Sequence, residues 1–238
     1  KNVLDKWVLG YLNKTNTEVT KYLEVYDTAS AIDQLKRFTT DLSTWYIRRS
    51  RDRMDEEFFA TCYEVLVTLC KVLAPFTPFI AEEMFKNLTG EVSVHLTNWP
   101  VVKKLASQGE ALRTQLLNDM TLVRKICEMG HAARKNNSMK VRQPLQKVTV
   151  NVELSIELNQ LIKEELNVKE VIYEKSEGEV TVELDINLTS ELIAEGKARD
   201  LVREIQEARK IAETALDEKV IVHLPDWPVE FEEYIKKE

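Results

Sequence analysis

The stretch Asp41-Leu42-Ser43-Thr44-Trp45-Tyr46-Ile47-Arg48-Arg49-Ser50-Arg51-Asp52-Arg53 carries four arginines and two aspartates in thirteen residues, within a chain of formal net charge −7. Guanidinium forks match phosphate oxygens and base edges and stack on aromatic faces, so arginines beside Trp45 and Tyr46 form the pattern of a nucleic-acid surface. Upstream, Ile32, Leu35, Phe38, Leu42 and Trp45 recur at three- and four-residue steps, which makes the stretch the end of a helix that Asp27 or Thr28 caps. At about 100° per residue, Arg48 and Arg49 fall within about 60° of Trp45 and Arg51 points away. Two readings follow. The arginines contact nucleic acid, or they pair with Asp41, Asp52, Asp55 and Glu56 on a solvated helix end. Trp45 is correspondingly a stacking platform or a member of the apolar stripe.

Around this stretch the first half is helical. Leu4, Trp7, Val8, Tyr11, Leu12, Thr15, Val19, Tyr22, Leu23 and Tyr26 predict one long amphipathic helix. A third helix spans roughly 56–87 and is apolar nearly all round, as a central helix would be, with a kink or break where Pro75 and Pro78 remove backbone donors. Phe76 and Phe79 read as core residues. Residues 88–108 form a long connection and 109–136 a fourth helix, so the expected architecture is an antiparallel helical bundle.

The second half changes period. Val148, Val150 and Val152 alternate, as do Val180, Val182, Leu184 and Ile186, while 168–171 alternate less cleanly. With helices over 155–166 and 189–215 and a last strand at Val220–Leu224, this is a small α+β domain. Val94-His95-Leu96-Thr97-Asn98-Trp99-Pro100 and Val222-His223-Leu224-Pro225-Asp226-Trp227-Pro228 are alike. Each reads as a strand leading into a turn with a tryptophan over the surface; their flanks differ, which excludes a domain repeat. The fold class expected is mainly α, with a bundle at 1–138 and an α+β domain at 139–238.

Residues 41–53 resemble the D-L-S-N-W-Y-x-R-R-S-R-D-R signature of isoleucyl-tRNA synthetases, with Thr44 where asparagine is usual. Five further segments resemble the same family in the same order. They are Leu73-Ala74-Pro75-Phe76-Thr77-Pro78-Phe79-Ile80-Ala81-Glu82-Glu83; Ser93 to Pro100; Lys140-Val141-Arg142-Gln143-Pro144-Leu145; Glu165-Leu166-Asn167-Val168-Lys169-Glu170-Val171; and Glu195-Gly196 with Ala198-Arg199, Val202-Arg203, Ile205-Gln206 and Arg209-Lys210. The resemblance implies a bundle that receives the anticodon stem-loop of isoleucine tRNA, whose unpaired bases can be splayed, stacked and read on their edges. Trp45, Arg48, Arg49 and Arg53 are the first candidate contacts. Lys140 and Arg142 are the second, as phosphate contacts that position without specifying; Arg142 and Pro144 equally suit a rigid hinge. A valyl-, leucyl- or methionyl-tRNA synthetase would share the bundle, and a helical protein-interaction module without an RNA role would share its outline.

The family's H-I-G-H and K-M-S-K-S type motifs for ATP are absent, as are glycine-rich phosphate loops, so no catalytic residue is expected. Beginning at Lys1 inside a helical pattern, the chain reads as a C-terminal piece of a longer enzyme. Cofactors are expected to be none here, ATP and magnesium belonging to the full-length ligase. The expected partners are isoleucine tRNA and the catalytic and editing domains of the same polypeptide, the whole acting as a cytoplasmic monomer. No apolar run approaches about 18 residues, which argues against a membrane span. Cys62, Cys70 and Cys127 read as reduced thiols, and nothing here would build a zinc module. Charge is uneven. Residues 121–149 set Arg124, Lys125, Arg134, Lys135, Lys140, Arg142 and Lys147 against Glu128, a balance of +6, whereas 153–195 balance at −9. Phosphates are expected to favour the first and avoid the second.

Overall fold

Helix α1, Val3–Glu24, starts where the Asn2 side chain accepts the Leu4 N–H at 2.9 Å. Its buried stripe is Leu4, Trp7, Val8, Leu12 and Val19. At its end Tyr26 adopts φ 59°, and the Asp27 N–H returns to the Tyr22 carbonyl at 2.9 Å. Asp27 then caps α2, Thr28–Asp41, by accepting the Ser30 N–H at 3.0 Å. So short a turn folds α2 back along α1, where Tyr11 meets Trp7 in a tilted contact and Phe38 edge to face, with ring centroids at 5.6 and 5.2 Å. Ile32, expected on the inner stripe, is 37% exposed; Ala31 takes that position instead.

The computed structural model describes residues 2–53, 55–101, 107–215 and 218–237. They divide into two compact units, Lys1–Met120 and Thr121–Glu238.

In the first unit, Asp55 caps helix α4, Glu56–Leu73, through the Phe58 N–H at 2.7 Å. (Helix α3, Arg48–Ser50, is the short turn described below.) The expected break at the prolines is present. α4 ends at Leu73, and α5, Pro78–Thr89, begins with Pro78 in its first turn, where a missing N–H does no harm. Cys70, Ala81, Phe85 and Val94 form a buried cluster. Phe79 does not join it: at 91% exposed it stands on the outer side of α5, so the expectation of a core residue is corrected. The segment expected as a first strand is a single 3-10 turn, Val94–Leu96, because Glu82 accepts the Val94 N–H and the Ser93 hydroxyl at 2.8 and 3.0 Å. Beyond it, Trp99 Nε1 donates to the Thr20 hydroxyl at 2.9 Å and the Pro100 carbonyl accepts from Asn16 Nδ2 at 2.7 Å, pinning the connection to α1. Residues 102–106 of that connection lie outside the described residues.

Helix α6, Ser107–Asn136, continues into the second unit. There β1, Leu145–Val150, pairs in parallel with β2, Val168–Tyr173, through the crossover helix α7, Ile156–Leu166, and antiparallel with β3, Val182–Leu184. The sheet order β2-β1-β3 puts the most buried strand in the centre. Leu145, Val148 and Val150 of β1 and Leu158, Leu161, Ile162 and Leu166 of α7 are all buried. Helix α8, Ser190–Ile211, is capped by Thr189, and a short α9, Glu232–Lys237, follows Trp227. The last strand expected at Val220–Leu224 is not one: the segment has no regular secondary structure, and among the described residues it pairs with no strand. Alternating valines satisfy strand propensity, but a strand also needs an edge to pair with.

Candidate nucleic-acid interface

The arginine-rich stretch is built on an irregularity of the helix. α2 widens at its end into a π-helical turn, Leu42–Ile47, before closing with α3. Such a turn holds one residue more than an α-helical turn and shifts the phase of everything after it. Leu42, Trp45, Tyr46 and Ser50 face inward, while Ser43, Thr44, Arg48 and Arg51 face outward. Trp45 is buried, at 7% exposure. The Arg48 guanidinium lies over its ring, 5.9 Å from the centroid, with Nε donating to the Thr44 carbonyl at 2.8 Å. Arg49 is half-buried, and Arg51 is exposed beside Asp52 at 3.8 Å.

Arg53 does something the sequence did not suggest. Its two terminal nitrogens donate to both oxygens of Asp5, at 3.0 and 2.8 Å, and the Tyr46 hydroxyl donates to the same carboxylate at 2.9 Å. Asp5 is fully buried in the first turn of α1. A buried carboxylate requires a partner with full hydrogen bonding, and here a bidentate guanidinium and a phenol supply it. Hydrogen bonding to Asp5 raises the Arg53 pKa, while burial, then Asp5, drives the Tyr46 phenol far above its ordinary range. The pair therefore ties the end of the arginine-rich stretch to α1. The signal existed in the sequence: Asp5 sits one residue from Leu4 and four before Leu9, among the apolar positions of α1.

In the second unit, Lys140 and Arg142 occupy the loop between α6 and β1. Lys140 Nζ and Arg142 Nε meet the two oxygens of Asp200 on α8, at 2.9 and 3.3 Å, and their side chains are 76% and 39% exposed. They line an open cavity of about 520 Å³ with Arg203, Glu204 and Glu207. The loop is tightly held from behind. Gln143 Nε2 donates to the Leu192 carbonyl at 2.7 Å, and a Cβ on Gly196 would collide with the Gln143 side chain, so α8 approaches only with glycine there. Gly130 plays the same part on α6, where a Cβ would lie 2.5 Å from Leu166 Cδ1. Glu195 is bridged by Lys169 at 2.5 Å and by Arg199 at 2.9 Å. Burial opposes its charge, but these cations outweigh that and hold the carboxyl below its usual range. The segments 140–145, 165–171 and 195–199, far apart in sequence, thus interlock. Asp200, Asn167 and Arg134 were not singled out by sequence; Arg134 alone left a trace, as a charge four residues after Gly130 on the buried stripe of Val123, Ile126 and Cys127.

Among the described residues no cluster of His, Cys, Asp or Glu is arranged to hold a metal, and no helix is long and apolar enough to cross a membrane. Cys62, Cys70 and Cys127 are free thiols.

A helical unit with arginines gathered at one helix end is followed by a small α+β unit. Residues 5–150 match the family model described as the anticodon-binding domain of tRNA ligase, and the chain belongs to that family. It is similar to the isoleucine–tRNA ligase of Dehalococcoides mccartyi strain CBDB1, 38% identical over 274 residues covering 99% of this chain and 26% of the relative. The corresponding ligase of Deinococcus radiodurans is 41% identical over 184 residues, 71% of this chain and 17% of the relative. That of Streptomyces coelicolor is 40% identical over 179 residues, 70% and 17%. The chain thus spans about a quarter, or less, of the length of these relatives.

Proposed function

We propose that the chain is the anticodon-binding portion of an isoleucine–tRNA ligase, with the anticodon-binding domain at 1–138 and an α+β domain at 139–238. It holds isoleucine tRNA while a catalytic domain elsewhere in the longer polypeptide carries out the ATP-dependent aminoacylation. The chain itself is not catalytic. The observation that carries this reading is the arginine-rich turn inside the matched family region: anchored by Arg53 on Asp5, it projects Arg48 and Arg51 outward. In this reading Arg48 and Arg49 contact the anticodon loop, Trp45 supports Arg48 from beneath, and Arg53 fixes the turn. Lys140 and Arg142 contact phosphates.

Filter binding of isoleucine and valine tRNA transcripts, over a range of salt, tests the proposal. Tighter binding of the isoleucine tRNA with a steep salt dependence is expected, because neutralised phosphates release counterions. Binding that ignores both anticodon and salt would exclude it.

A further inference from the structure

Among the described residues Arg134 is the largest fully buried side chain, 1% exposed, and its hydrogen-bond acceptors are backbone carbonyls. All five guanidinium N–H groups are used. Nε and Nη2 donate to the Leu166 carbonyl at 3.0 and 2.6 Å, Nη2 also to the Asn167 carbonyl at 3.1 Å, and Nη1 to the carbonyls of Lys140 and Gln143, each at 2.9 Å. Asn167, left-handed at φ 49°, completes the set: its Nδ2 donates to the Val141 and Arg142 carbonyls at 3.1 and 2.9 Å. Four consecutive carbonyls, from Lys140 to Gln143, are therefore gripped from beneath by two side chains. Burial pushes the Arg134 pKa down to about 10, which leaves it charged at neutral pH.

Burying an uncompensated cation is costly, and a loop serving only as a connection needs no such grip. What the grip fixes is the aim of the two outward side chains. Lys140 and Arg142 converge on a single carboxylate, that of Asp200, so both cations reach one pair of oxygens, the geometry a phosphate also offers. We propose that Arg134 is a positioning residue: by holding the carbonyls of Lys140 and Gln143 it sets the backbone from which Lys140 and Arg142 grasp one RNA phosphate. This rests on the tRNA-binding reading above. Without Arg134 the two cations remain, but they no longer point at one spot.

The test is a double-mutant cycle on the 238-residue chain, with an isoleucine tRNA transcript titrated at several salt concentrations. K140A/R142A is expected to lower the slope of log affinity against log salt by about 1 to 2. R134K keeps the charge but loses the five-donor fork, and it is expected to lower the slope similarly. Adding K140A/R142A to R134K should then cost less than roughly twofold more, since coupled residues are non-additive. N167G keeps the left-handed backbone and removes only the two loop hydrogen bonds, so a smaller loss in the same direction is expected; it decides the question if R134K fails to fold. Full additivity of R134K and K140A/R142A, or an unchanged slope in folded R134K and N167G, overturns the positioning role. If K140A/R142A alone changes nothing, or the wild-type chain does not bind, the RNA reading of this loop falls and the inference with it.

Discussion

Arg53 and Asp5 are 48 residues apart in sequence and meet through both guanidinium nitrogens, at 3.0 and 2.8 Å, with the carboxylate fully buried and the arginine side chain 20% exposed. The last arginine of the stretch is thereby occupied inside the protein.

Removing one member of a buried pair strands the other, at a cost of about 3–5 kcal/mol. R53M should lower the urea midpoint accordingly, and D5N/R53M should recover much of that loss by removing the orphaned charge. If R53M instead unfolds like the wild type and loses tRNA, Arg53 belongs to the RNA surface.

Arg51 is exposed on the outer side of the turn, and exposed substitutions away from buried contacts shift stability by no more than about 0.5 kcal/mol, whereas Arg48 also covers the buried Trp45 ring, a contact worth about 0.5–1 kcal/mol. R51A should therefore melt as the wild type does and R48A slightly lower, both weakening tRNA binding and each reducing the salt slope by about 1. R48K separates two contributions: it keeps the charge and loses the planar face that lies over Trp45. Unaltered tRNA affinity in R48A would remove Arg48 from the interface.

Asp200 competes for the cations that we assign to phosphate. An exposed pair of this kind contributes at most about 1 kcal/mol, so D200N should barely change the melting temperature. Its effect on binding should exceed that of an acidic-to-neutral change at a remote site, because it frees two paired cations: tighter tRNA association with a steeper salt slope, measured by the same titration. Weaker binding would mean that Asp200 orients the cations and does not merely hold their place.

Glu195 gives the second unit an acid sensitivity of known sign. Its folded pKa lies below the ordinary 4.5, so its stabilising contribution is complete above that value and disappears as pH falls through the folded one. Urea midpoints of wild type and E195Q should converge as pH drops below about 4 and stay separated at pH 6 to 7. Parallel curves throughout would show that Lys169 and Arg199 contribute nothing through this carboxylate.

Local rules carried far in this chain. Asp27, Asp55 and Thr189 cap the helices that follow them, and the Pro75–Pro78 pair divides α4 from α5, because capping and proline geometry are decided within a few residues. Non-local pairing was not legible. Val220–Leu224 alternates like β1 yet finds no partner strand among the described residues, and Glu82 recruits Val94 into a turn by a contact across twelve positions. The arginine stretch was located by sequence, and a uniform 100° helix already set Arg48 near Trp45, but it could not foresee the π-helical turn at Leu42–Ile47. Periodicity set Arg51 apart from Trp45, but it could not tell that Arg53 grips Asp5, 48 positions away, instead of facing outward. Both Asp5 and Arg134 were visible as charges on apolar stripes, the one pattern that reliably calls for a buried partner.

The inward turn of the four carbonyls at 140–143 also has an electrostatic side. Peptide bonds here are trans, so a carbonyl pointing toward Arg134 or Asn167 sends the N–H of the next residue the other way. The negative ends of these peptide dipoles are neutralised in the interior, and the positive ends, at Val141 and Arg142, are directed outward. An approaching anion would meet oriented dipoles as well as two cations, and such backbone dipoles, unlike flexible side chains, are fixed in direction before the anion arrives.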